Sequence, residues 1–150
     1  MKSTTPIHVL LVEDDQKDAK TIAGLLAESG LEHELTVVET ANRAIAFLNH
    51  SHPFETATLP NLVLLGLELP KIAGVSVLAE LQQQRVVRAT TIGVIVFSKS
   101  EDMASRDAAR VLGADAFVLK PVSPEDMESA ASKLREVLGR LAGRAGRKAP

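Results

Sequence analysis

The sequence contains no cysteine. Disulfides, thiol nucleophiles and zinc–thiolate sites are therefore excluded, and a chain without disulfides is in keeping with the cytoplasm. Tryptophan and tyrosine are also absent, and aromatics amount to 3%, so platforms for stacked bases are not expected. Neither sign of charge dominates: 17 Lys and Arg face 19 Asp and Glu, for a net charge of −2. That balance gives no electrostatic reason for a nucleic-acid or membrane partner. No apolar run is long enough to span a bilayer. The opening MKSTTPIHVLLVEDD has one lysine and a short apolar run broken by acids, which does not read as a signal peptide. Phosphate-binding Walker loops, G-x-G-x-x-G and G-x-S-x-G are missing. His8, His33, His50 and His52 lack ligand-like partners and read as surface residues.

What is present is an alternation. The 150 residues are 45% hydrophobic, enough for one domain with a sizeable core. Short apolar runs rich in branched residues, IHVLLV (7–12), HELTVVE (33–39), NLVLL (61–65), TIGVIVF (91–97) and DAFVL (115–119), read as strands. Between and after them lie helical patterns. The first is capped by Asp15, carries Ile22, Leu25, Leu26 and Ser29 on one face and stops at Gly30. The others span 40–50, with Ala41, Ala44, Ile45 and Leu48 inward, then 74–84, 102–113 ending on Gly113, and 123–142. Ser123 caps the last helix, Pro124 occupies its first turn, and acids follow at the positive end of its dipole. Residues 143–150 read as a basic disordered tail. Five strands alternating with five helices predict a (βα)5 α/β fold: a doubly wound, parallel five-stranded sheet of flavodoxin-like kind. Sites in such sheets lie beyond the carboxyl ends of the strands.

Strand one ends in Glu13-Asp14-Asp15, strand three in Gly66, strand four in Ser98-Lys99 and strand five in Lys120-Pro121. Clustered carboxylates attract a hard cation such as Mg²⁺. A hydroxyl and a lysine opposite them suit the oxygens of a phosphoryl group. Taken singly, the acids could merely cap a helix and Lys120 could be a solvated lysine; four strand ends in agreement argue for a site.

The stretches LLVEDD, NLVLLGLELPKIAG, VIVFSKS and AFVLKP, in this order, resemble the receiver domain of two-component response regulators, over about residues 7–141. The phrasing LVLLxLxLPKxxG is most similar to single-domain regulators that pair with bacterial phytochrome-type histidine kinases. The resemblance implies a receiver domain over 1–142 and a role in phosphorelay signalling as a binding module rather than an enzyme. Glu13 and Asp14 would be the metal-site acids, Asp14 direct and Glu13 through water. Glu68 would offer a backbone carbonyl to the metal, Ser98 a hydroxyl to a phosphoryl oxygen, and Lys120 an ion pair. Pro121 would follow through a cis peptide, and Phe117 would occupy the aromatic switch position.

The departure is Gly66, where the family carries the aspartate that accepts phosphate. Glycine can form no acyl phosphate and removes a metal ligand, so Mg²⁺ binding is expected to be weak or absent. A shifted frame with Glu68 as acceptor is the alternative, opposed by Pro70 and Gly74, which fix the register of the turn. The chain then reads as a pseudo-receiver or an acceptor-null variant that signals by protein contact with a sensor histidine kinase or a downstream protein. A flavodoxin-like nucleotide- or flavin-binding enzyme using the same acidic pocket is the reading from another class. Met127, Ala131, Leu134, Leu138 and Leu141 form a narrow apolar seam. Its far end predicts a homodimer through helix five and strand five.

Overall fold

Branched and leucine-rich strands need apolar cover on both faces, and the fold supplies it. The computed structural model describes residues 6–68, 74–88, 92–99, 103–121 and 123–146. Along the chain run β1 (Ile7–Val12), α1 (Gln16–Glu28), β2 (His33–Val38), α2 (Ala41–Leu48), β3 (Leu62–Gly66), α3 (Gly74–Arg88), β4 (Gly93–Ser98), α4 (Met103–Val111), β5 (Ala116–Leu119) and α5 (Pro124–Gly146). The strands form one parallel sheet in the order β2-β1-β3-β4-β5. This is the predicted doubly wound (βα)5 architecture.

Successive side chains of a strand point to opposite faces, which sorts the core into two layers. Leu10, Val12, Val63, Leu65, Val94 and Val96 meet Ala44 and Leu48 of α2, Val77, Leu78 and Leu81 of α3, and Ala109 of α4. Val9, Leu11, Leu62, Leu64, Ile95, Phe97 and Val118 meet Ile22, Leu25 and Leu26 of α1 and Ala130, Leu134 and Val137 of α5. The local signals work as expected at several ends. Asp15 caps α1, its side chain accepting from the Asp18 N–H; α2 has a cap not read from the sequence, Thr40, whose hydroxyl oxygen accepts from the Arg43 N–H. Gly113 follows α4 with φ +96°, a left-handed conformation that favours glycine.

Four expectations change. In α2 the inward aromatic is Phe47, and Ile45 is only half-buried; a helix of two turns leaves its apolar phase weakly determined. Helix α5 continues to Gly146, so residues 143–146, expected in the tail, are helical; 147–150 lie outside the described residues. Leu138 and Leu141 are not stranded beyond the sheet: both are half-buried and pack against the α1/α5 core layer. Gly93, at the start of β4, makes the room: a Cβ there would stand 3.0 Å from Leu141 Cδ1. Finally, Lys120–Pro121 is not a cis peptide; among the described residues the cis bond is His52–Pro53. Trans is the lower-energy isomer of an X–Pro bond.

Candidate functional site

The strand alternation decides which groups meet at the carboxyl edge of the sheet. Glu13 continues the phase of Val9 and Leu11, Gly66 that of Leu62 and Leu64, and Lys120 that of Val118, so all three belong to the α1/α5 face. Ser98 continues the phase of Val94 and Val96, on the other face. β1 and β5 are separated by β3 and β4, at roughly 4.8 Å per strand. Glu13 and Lys120 can therefore meet only by reaching across the end of β3, where Gly66 has no side chain.

They do meet there. Glu13 Oε1 lies 2.8 Å from Lys120 Nζ, with 0% and 5% of the respective side chains exposed. The contact is an ion pair rather than an aligned hydrogen bond, and Oε1 has no other partner among the described residues. Glu13 Oε2 accepts from the Asp15 N–H at 3.1 Å. Lys120 Nζ donates to Asp18 Oδ2 at 3.2 Å, which gives the ammonium a second carboxylate. Burial pushes the Glu13 carboxyl above its ordinary range, against the opposing pull of Lys120 and the Asp15 N–H. Burial also works against the Lys120 ammonium, but Glu13 and then Asp18 outweigh it and hold Lys120 above its ordinary range. With two carboxylates within 3.2 Å, the charged lysine is the form this geometry supports.

Gly66 is not required by its backbone, since it is absent from the glycines with positive φ. What it provides is space. A Cβ at residue 66 would stand 2.5 Å from Glu13 Oε1 and 3.2 Å from the Val12 carbonyl oxygen. The Glu13 carboxylate thus borders the volume where a side chain at 66 would begin. Gly74 is different: a Cβ there would meet the Leu67 Cα and carbonyl oxygen at 2.9 Å, and its N–H donates to that carbonyl. This close approach ties the start of α3 to the end of β3 and agrees with the register read from the sequence. Pro70, the other residue used to set that register, lies outside the described residues.

On the opposite face, buried Ser98 donates its hydroxyl to Glu68 Oε2. Glu68 Oε1 accepts from the Lys99 N–H at 3.1 Å. Glu68 was expected to act through its backbone carbonyl; its carboxylate contacts, like those of Asp18, were not anticipated. Asp14 is exposed. Phe117, on edge strand β5, is half-buried beneath Arg106, whose guanidinium carbon is 5.7 Å from the ring centroid. Pro121 is half-buried beside Lys120.

A divalent cation would need these acids turned toward one point. Instead Glu13 faces Lys120, Asp14 is exposed beside Glu13 and Gly66 offers no carboxylate. Among the described residues, no group of three His, Asp or Glu side chains is set to hold a metal. In this arrangement the donors do not fit Mg²⁺.

A parallel sheet with acids, a hydroxyl and a lysine at its carboxyl edge is the arrangement expected of a receiver domain. Residues 9–132 match the response regulator receiver domain, and the chain belongs to that family. It is 37% identical to the response regulator Rcp1 of Synechocystis sp. over 101 residues, covering 67% of this chain and 69% of Rcp1. The crystal structure of the Mn²⁺-bound form of Rcp1 superposes with a TM-score of 0.76 at 31% identity, covering 86% of this chain and 91% of that one. The bacteriophytochrome response regulator RtBRR gives a TM-score of 0.70 at 32% identity, with coverage of 87% and 78%. The phosphorylated cyanobacterial phytochrome response regulator RcpA gives 0.75 at 27%, with coverage of 89% and 91%. No described helix is long and apolar enough to cross a membrane.

Proposed function

We propose that this chain is a cytoplasmic response-regulator receiver that works by protein–protein contact without being phosphorylated at the usual place, Gly66 standing where the phosphoaccepting aspartate belongs. One observation carries the reading. Glu13 and Lys120 close over the end of β3, in space that any side chain at 66 would contest. On this reading the acceptor is missing, and Glu13 and Lys120 occupy the space beside it. Relatives have been solved in Mn²⁺-bound and phosphorylated forms; here Mg²⁺ binds weakly at most, because Glu13 is committed to Lys120.

The partner that fits the likeness is a sensor histidine kinase of the phytochrome kind, or a protein downstream of it, and nucleic acid is not a partner. Contact is the output, and no reaction is catalysed. Self-association through α5 and β5 would draw on Phe117, since Leu138 and Leu141 pack against the α1/α5 core layer. Calorimetry with a phytochrome histidine kinase from the same organism tests the reading. Binding should occur without ATP and be unchanged by it. Transfer of the kinase's phosphoryl group to the chain would refute it.

A further inference from the structure

Glu68 is an exposed residue whose carboxylate nevertheless has two fixed partners. Its Oε2 accepts the Ser98 hydroxyl and its Oε1 accepts the Lys99 N–H. Ser98 is 1% exposed. A buried hydroxyl and an adjacent backbone N–H that together take the two oxygens of one carboxylate form a donor pair of oxyanion-binding geometry. Hydrogen bonds to an ionised acceptor are the strong kind. Among the described residues, Lys120 is held by Glu13 and Asp18 and forms no ion pair with Glu68. An anion approaching Ser98 and Lys99 therefore meets a negative charge already seated on both donors.

We propose that Glu68 is a built-in occupant of an oxyanion site made by the Ser98 hydroxyl and the Lys99 N–H. It takes the place of an external phosphate-like group and ties the segment after β3 to the end of β4. The site closes from within: while Glu68 is seated, external oxyanions are excluded and the two strand ends stay joined without a ligand. The proposal rests on the reading of Gly66 as a lost acceptor and adds what fills the neighbouring half of the site. It also explains why an exposed side chain is held at two points.

The test uses the full chain, with inorganic phosphate titrated at constant ionic strength and the Lys99 amide followed by NMR. In the wild type the Lys99 amide should not respond saturably. In Glu68→Ala it should move in the free protein and then respond saturably to phosphate, with affinity about tenfold or more above any wild-type response, the worth of a charge-assisted hydrogen bond. Glu68→Ala/Ser98→Ala should lose that response. An equal response in wild type and Glu68→Ala, no gained response, or a gain that survives loss of the Ser98 hydroxyl would each overturn the proposal. Failure of the Gly66 reading has a separate signature, a phosphoryl adduct by mass spectrometry, and leaves the Lys99 comparison to decide on Glu68.

Discussion

Replacing Lys120 with methionine keeps most of the side chain's volume and removes its charge. Glu13 would then hold a carboxylate with 0% of its side chain exposed and no cation near it. The Asp15 N–H, at 3.1 Å, would remain as a partner of Oε2. Removing one member of a buried pair costs about 3–5 kcal/mol, because the other charge is left uncompensated. Asp18 adds little to this loss, since its side chain is 28% exposed and water can replace the lysine there. A domain of this size is stable by roughly 5–15 kcal/mol, so Lys120→Met should remove a large share. Urea unfolding followed by circular dichroism would read it. With a slope of about 1–3 kcal/mol per molar, the midpoint should fall by roughly 1–5 M. Glu13→Gln added to Lys120→Met removes the orphaned charge and should recover most of the loss. A Lys120→Met chain within about 1 kcal/mol of wild type, or a double variant no better than the single, would show that the pair does not hold this edge together.

Leu141→Glu should act on the fold and not on an assembly. Placing a charge where Leu141 packs over Gly93 should cost about 2–4 kcal/mol in thermal or urea unfolding, with the sedimentation coefficient of the remaining folded protein unchanged. A stable Leu141→Glu protein that has lost a wild-type dimer would instead show helix five to be the interface. Mg²⁺ should bind the wild type weakly by calorimetry and bind Gly66→Asp more tightly, since the new Cβ displaces the Glu13 carboxylate and a second acid enters the site. Equal affinities would refute this.

The element order was legible because each strand is a short run of branched or leucine residues and each helix repeats its apolar face. Asp15 and Gly113 announced helix ends by side-chain chemistry alone. The meeting of Glu13 and Lys120 was half legible: counting by twos from Val9, Leu62 and Val118 puts both on the face of Gly66. That they pair directly depends on the empty position between them. Asp18 sits one turn into α1, where an acid reads equally well as favourable to the helix dipole. The packing of Leu141 was hidden because it needs knowledge of which strand α5 crosses, and Gly93 reveals its purpose only beneath that leucine. Glu68 lies just past a strand, where the sequence does not say whether backbone or carboxylate does the work.

The most direct test is intact-mass spectrometry under non-acidic, rapid-quench conditions after treatment with acetyl phosphate and Mg²⁺, on the wild type and on Gly66→Asp side by side. The wild type should gain no phosphoryl group. Gly66→Asp should gain one that is labile to hydroxylamine, as an acyl phosphate is, once Glu13 gives way to the new side chain and Glu68 yields Ser98 and Lys99 to the phosphoryl group. A hydroxylamine-labile adduct on the wild-type chain, at Glu68, Asp15 or any other carboxylate, would contradict the account.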